Sequence, residues 1–260
     1  DLYVRGNKKD SALLTLQNCI ATNPANDEAH RNIGNYYLNI LADNINAELY
    51  LKKATELNPV NIDNYLALGR FYRRMKQRNR ELSTYQSALT FLPGNKEIYN
   101  ETGNAFFAAP TLYDSAIAYY NLALAVDPKL SFTYCNLGNI FEQKNEIEKA
   151  VGYFKKAMSS DSVRFYSKLN TKIGELYYKN GNFENAKKYY RQNLKSNTTF
   201  SRKTDLPKVI KILLSENNFT EAENEVNKYL LPEKDALLYT KLMNLIHTNR
   251  ATNNENIPKQ

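Results

Sequence analysis

The chain has no tryptophan and is poor in the residues that terminate regular structure. Its 260 residues include nine glycines and eight prolines, which is few for an all-β protein with many turns. The only thiols, Cys19 and Cys135, lie far apart in the sequence, so no disulfide framework is expected. Two separated histidines without paired cysteines give no predicted metal site.

Long apolar runs are also missing. No stretch approaches the roughly 18 apolar residues of a membrane-spanning helix. The first ten residues, DLYVRGNKKD, contain neither an apolar core nor a cleavage signature, so no signal peptide is visible. We therefore favour a cytoplasmic location, since a periplasmic one would need a signal or anchor before residue 1.

Sequence motifs of catalysis are missing as well. The sequence has no Walker loop, dinucleotide glycine motif, nucleophile elbow or HExxH, and these motifs mark common phosphate, cofactor, nucleophile and zinc sites. We predict neither an enzyme nor a cofactor. The net charge of +8 favours anionic partners, but only through non-specific attraction.

The chain does contain a repeating pattern with a period of about 34 residues. A glycine recurs with an apolar residue or threonine before it and an aromatic residue three positions after it. The glycines are Gly34, Gly69, Gly103, Gly138 and Gly174. Such spacing predicts amphipathic helices that repeat along a solenoid.

A second amphipathic helix follows each glycine-bearing helix. The clearest copy is SFTYCNLGNIFEQKNEIEKAVGYFKKAMSSDSVR, in which Ala150, Phe154 and Ala157 share one face. The small residues let helices approach closely, and the aromatic rings fill the space beside them. Two positions depart from this pattern, since Glu81 and Asn193 stand where other copies have a small residue.

The pattern LGN(x)F, followed by EKA(x₃)F(x₂)A and often by an Asp-Pro or Asn-Pro, resembles the tetratricopeptide repeat family. The resemblance implies an all-α, right-handed α-solenoid of helix-turn-helix repeats with a C-terminal capping helix, as one domain over residues 1–250. The expected segments are a partial repeat 1–26, repeats at about 27–61, 62–95, 96–130, 131–166 and 167–202, a degenerate repeat 203–234, a cap helix 235–249 and a polar tail 251–260.

The resemblance also implies a non-enzymatic scaffold that binds a peptide or an extended segment of a partner protein in a concave groove. The first helix of each repeat lines that groove in the family. The groove candidates are Arg31, Asn35, Arg70, Arg73, Arg74, Asn104, Asn136, Asn139, Lys168 and Lys172. Guanidinium groups bind carboxylates bidentately, so the three neighbouring arginines favour an acidic partner, although cations also occur at helix ends for solvation and dipole reasons.

Four of these candidates suggest a more specific site. Some family members clamp the C-terminal carboxylate of a peptide with asparagines and basic residues on successive first helices, and Asn104, Asn136, Lys168 and Lys172 occupy compatible places. The fifth place, which should be lysine, is Asn100. A solvated polar groove is the simpler explanation of the same residues.

Two other functions stay open at the level of sequence. The repeats could form a regulatory or sensing segment of a larger enzyme or envelope complex. Nucleic-acid binding ranks last, because the +8 charge is its only support. The sequence predicts no oligomeric state and no named partner.

Overall fold

A computed structural model describes residues 13–160, 162–196 and 198–255. These residues form helices joined by turns, with no strand among them, which confirms the predicted all-α repeat fold. The chain divides into two units, Asp1–Pro128 and Lys129–Gln260.

The described part of the first unit contains three helix pairs, preceded by a single helix. Its helices are α1 (13–22), α2 (Asp27–Tyr36), α3 (Asn44–Leu57), α4 (Ile62–Arg74), α5 (Arg78–Phe91), α6 (Lys96–Phe107) and α7 (Tyr113–Val126). Asparagine side chains cap the first helices: Asn26 accepts from the Ala29 amide, and Asn95 accepts from the Ile98 amide, as is common at helix N-termini. Helix α4 packs against α2 and α6 as well as against its own partner α5.

The second unit continues the same arrangement. Its helices are α8 (Ser131–Gln143), α9 (Ile147–Ser160), α10 (Ser162–Lys179), α11 (Phe183–Leu194), α12 (Thr199–Thr204), α13 (Leu206–Ser215), α14 (Phe219–Tyr229) and α15 (Ala236–Glu255). Helix α10 has 18 residues against 13 in α8. The short helix α12 stands between α11 and α13 and packs against both.

The turns inside the repeats follow two patterns. Where the spacing is regular, one residue adopts a left-handed conformation seven positions after the glycine site, as Lys76 and Asn145 do with φ of 58°. Where the sequence carries one extra residue, the turn changes. A π-helical turn, Tyr37–Leu41, follows α2, and a 3₁₀ turn, Pro110–Leu112, precedes α7.

The repeat glycines lie under large side chains of the second helix. A Cβ added at Gly138 would stand 2.6 Å from the Phe154 ring, and one at Gly174 would stand 2.5 Å from the Tyr190 ring. Gly34 meets Leu51 in the same way, at 2.7 Å. Because atoms cannot approach so closely, each of these positions excludes any side chain while its helix pair keeps this spacing.

A second ring stacks beside this contact in most repeats. Phe141 stacks on Tyr153 with centroids 5.2 Å apart, and Tyr177 stacks on Tyr189 at 5.8 Å. The repeat of Gly69 lacks this stack, because Thr84 takes the place of the second aromatic residue. There the Arg80 guanidinium covers the Tyr72 ring at 4.5 Å, a cation–π contact.

In the degenerate repeat, a larger residue replaces the glycine and a smaller residue replaces the aromatic residue that packs on it. Ile210 replaces the glycine of α13, and Val226 replaces the aromatic residue of α14. Both are 0% exposed, and the two helices pack against each other. A larger residue on one helix is thus matched by a smaller one on the other, which conserves volume.

A polar cluster is buried where α10, α11 and α12 meet. Asn193, in the place of a repeat alanine, donates to the Thr171 hydroxyl at 3.0 Å and to the Asp205 carboxylate. Thr171 donates to the same carboxylate at 3.0 Å. Asp205 is 0% exposed, and burial raises its pKa against the effect of these hydrogen bonds and of Lys208.

The last helix is longer than the predicted cap helix, and some of its leucines are exposed. Helix α15 packs against α13 and α14 through Leu242 and Ile246, whereas Leu237 is 88% exposed. It continues to Glu255, beyond the predicted end at 249. In this last part of the helix, the Thr252 hydroxyl donates a hydrogen bond to the Thr248 carbonyl one turn earlier, at 3.0 Å. Residues 256–260 of the predicted tail lie outside the described residues.

We expect glycine-to-alanine substitutions in one helix pair to have opposite signs. Gly138→Ala should lower the free energy of unfolding by about 1–3 kcal/mol, because the added methyl overlaps Phe154. Gly152→Ala in α9 meets nothing within 4 Å and should raise it by up to about 1 kcal/mol. Urea unfolding measures both. A stabilising Gly138→Ala would contradict the close packing described here.

Asp205 should make stability depend on pH. Since its folded-state pKa is raised, the folded chain binds more protons than the unfolded chain between the two pKa values, and stability falls as pH rises through this window. Asp205→Asn removes this loss. We expect the melting temperature of the variant, relative to wild type, to increase from about pH 4 to pH 7. A difference that stays constant across this range would contradict the raised pKa.

Candidate functional site

The predicted groove arginines of the first unit connect successive first helices. Arg31 on α2 donates to Asn64 on α4 at 3.1 Å. Arg74 at the end of α4 donates to Asn39, in the π-helical turn after α2, at 2.9 Å. We call the side of α2 and α4 that carries Arg31, Asn35, Arg70, Arg73 and Arg74 the first-helix face. Arg31 and Arg74 thus make contacts between repeats.

Arg73 is the most constrained of these arginines. Its Nε donates to Glu81 at 2.7 Å, and its Nη2 donates to Glu101 on α6 at 2.7 Å. Glu81 fills the small-residue position of α5 and is only 3% exposed. Burial raises the pKa of Glu81, and the Arg73 charge opposes this rise. An acidic residue in a small-residue position is the sequence signal for this ion pair.

Arg70 differs from its neighbours. It lies on α4 directly after Gly69, is exposed, and takes part in none of the hydrogen bonds or ion pairs found among the described residues. Asn35 and Asn139 occupy the corresponding positions on α2 and α8, and both are partly buried. Of the arginines on the first-helix face, Arg70 therefore has the guanidinium that is available to an incoming group.

Three further cations follow Arg74 in the sequence: Lys76, Arg78 and Arg80. Lys76 lies in the turn after α4, and Arg78 begins α5. Arg80 forms an ion pair with Glu48 on α3 and covers the Tyr72 ring. These contacts agree with the structural interpretation of cations at a helix end and its turn.

The predicted carboxylate clamp draws its residues from both units. In the first unit, Asn104 accepts a hydrogen bond from the Tyr120 hydroxyl at 2.7 Å. In the second unit, Asn136 on α8 is partly buried, and Lys168 on α10 is exposed. Lys172, one turn further along α10, forms an ion pair with Glu142 at 2.6 Å. The clamp stays a prediction, and Lys172 already has an anionic partner.

Other chemistry finds little support among the described residues. Cys19 and Cys135 are unbridged, and burial raises the pKa of the Cys135 thiol to about 11, which disfavours a reactive thiolate. No group of three or more His, Cys, Asp or Glu side chains in the described part of the chain is arranged to hold a metal ion. None of the described helices is long and apolar enough to cross a membrane.

Comparison with known proteins identifies the repeat. The tetratricopeptide repeat model matches residues 133–163 and 167–199. The anaphase-promoting complex subunit CDC16 of Saccharomyces cerevisiae is 27% identical over 202 residues, which cover 75% of this chain and 24% of CDC16. The chain thus spans about a quarter of the length of this curated relative.

Solved structures share the fold. PilW, described as a type IV pilus biogenesis factor, has a TM-score of 0.58 at 21% identity over 75% of this chain and 88% of its own. YrrB, described as a TPR protein with an unusual peptide-binding site, has a TM-score of 0.50 at 16% identity over 69% of this chain and 91% of its own. At this identity the likeness concerns the fold alone.

The Arg73–Glu81 pair should be strongly coupled. Arg73→Met leaves the buried Glu81 carboxylate without its cation, and we expect a loss of about 2–3 kcal/mol in the free energy of unfolding. Arg73→Met combined with Glu81→Ala should cost less than Arg73→Met alone, because alanine restores the small residue of the repeat. Urea unfolding of the two single variants and the double variant measures the coupling. Additive losses would contradict a structural ion pair.

Proposed function

Since the chain carries tetratricopeptide repeats, we propose that it is a non-enzymatic interaction scaffold whose first-helix face binds an acidic, extended segment of a partner protein. The observation that carries this proposal is the arrangement of arginines on α4. Arg73 and Arg74 are fixed by contacts with neighbouring repeats, and Arg70 stands between them and Gly69 with its guanidinium exposed. Guanidinium groups recognise carboxylates through paired hydrogen bonds.

The surrounding charges favour a protein partner over nucleic acid. Glu28 and Glu101 pair with arginines of the same face, so cations and carboxylates are interleaved there. A phosphate backbone gains most from an uninterrupted basic surface, since its affinity depends on the number of phosphates neutralised. A peptide with spaced carboxylates fits the interleaved charges better.

The comparisons agree with a binding role without assigning one. YrrB is described as having a peptide-binding site, and CDC16 is named as a subunit of a complex. We extend the general role, contact with another protein, to this chain as part of the proposal. The alternative of a regulatory segment within a larger enzyme or envelope complex stays a prediction.

Reversing charge on the first-helix face should abolish binding of an acidic peptide. The variant Arg70→Glu with Arg74→Glu spares the structural Arg73. The probe is a fluorescein-labelled peptide rich in Asp and Glu, measured by anisotropy at low salt because surface attraction is screened by added salt. We expect its affinity to fall by at least about tenfold.

A matched control changes the net charge equally at another place. Lys53 on α3 and Lys188 on α11 are exposed lysines of second helices, and Lys53→Glu with Lys188→Glu should bind the probe nearly as wild type does. Equal losses of affinity in both double variants would show that binding depends on net charge alone. That result would contradict a site on the first-helix face.

A further inference from the structure

The hydroxyl of Tyr85 on α5 has no hydrogen-bond partner among the described residues. Its ring lies against Gly69, so closely that a Cβ at Gly69 would overlap the end of the ring. This contact is the repeat's own glycine–aromatic packing, which fixes the ring beside α4. Tyr85 is 0% exposed. An unpaired buried hydroxyl costs free energy that a partner atom would recover.

In the next repeat, the corresponding tyrosine hydroxyl has a hydrogen-bond acceptor. There Tyr120 packs on Gly103, and its hydroxyl donates to Asn104, the residue directly after that glycine, at 2.7 Å. The residue directly after Gly69 is Arg70, and a guanidinium has donors but no acceptor. The same geometry therefore gives a paired phenol in one repeat and an unpaired one in the other.

Two carboxylates and two guanidinium groups act on Tyr85, so their formal charges balance. Glu81 and Glu101 both act on Tyr85 and both pair with Arg73. Arg70 also acts electrostatically on Tyr85, but it forms no ion pair among the described residues. The Arg70 guanidinium and the Tyr85 hydroxyl are thus both donors without an acceptor, and a carboxylate has two acceptor oxygens.

We propose that Tyr85 and Arg70 form a subsite for a single carboxylate of the acidic partner, an inference that rests on the proposed function. One carboxylate oxygen accepts from the Tyr85 hydroxyl, and the other accepts from the Arg70 guanidinium. The hydroxyl is closed to solvent in the free chain, so neighbouring side chains must move to admit the ligand. A doubly charged phosphate fits less well, because Glu81 and Glu101 lie nearby.

Tyr85→Phe tests this subsite with two readouts. The variant removes only the hydroxyl, so its melting temperature should equal or exceed that of wild type, since an unpaired buried group is lost. Its affinity for the Asp/Glu-rich fluorescent peptide should fall by about tenfold, which corresponds to one hydrogen bond to a charged group. Tyr120→Phe should behave in the opposite way, with a lower melting temperature and unchanged affinity.

Arg70→Asn provides a second variant. The substitution puts an asparagine at the position that corresponds to Asn104 in the next repeat. The Tyr85 hydroxyl would then have an acceptor. We expect a higher melting temperature together with weaker binding of the acidic peptide. A counterpart peptide with Asn and Gln in place of Asp and Glu should bind wild type and both variants equally weakly.

The outcomes separate this inference from the proposed function. If wild type binds the acidic peptide and Tyr85→Phe binds it equally well, the subsite is wrong and the scaffold function stands. If wild type binds the acidic peptide no better than its amide counterpart, the proposed function fails and the subsite fails with it.

Discussion

The close contact between a glycine of each first helix and a large side chain of the second is the constraint on which the structure depends. Phe154 against Gly138 and Tyr190 against Gly174 leave no room for a Cβ. The helix pair is therefore held at short range, and the ring stack beside it, such as Phe141 on Tyr153, adds to the same interface. Where the glycine becomes Ile210, its partner shrinks to Val226 and both stay buried.

The same contact determines what the exposed residues can do. A tyrosine ring on a repeat glycine carries its hydroxyl to the neighbourhood of the next residue of the first helix. Asn104 accepts from that hydroxyl in one repeat, whereas Arg70 cannot. Arg73, meanwhile, serves mainly to neutralise Glu81 and to connect α4 with α6 through Glu101. Packing thus separates the arginines that hold repeats together from the one available to a partner.

The sequence predicts the helix pairs well because the glycine, the alanines and the aromatic residue recur at the same positions in most repeats. It also marks Glu81 and Asn193 as departures, and both prove to be buried polar residues with partners. Their partners could not be predicted, because they depend on side-chain placement. Glu81 pairs with Arg73, which also reaches Glu101 of the following repeat, and Asn193 donates to Thr171 and to Asp205. The exposure of Leu237 could not be predicted either. Apolar residues on one side of a helix do not show how much of that side a neighbouring helix covers.

Arginine footprinting would show which arginine side chains the acidic peptide covers. The full chain is treated with an arginine-selective reagent, with and without the acidic peptide, and modification is read residue by residue by mass spectrometry. We expect the peptide to protect Arg70, which is exposed and forms no ion pair among the described residues of the first-helix face. Arg78 and Arg80 should be modified at unchanged rates. Protection of Arg78 and Arg80 without protection of Arg70 would contradict this expectation.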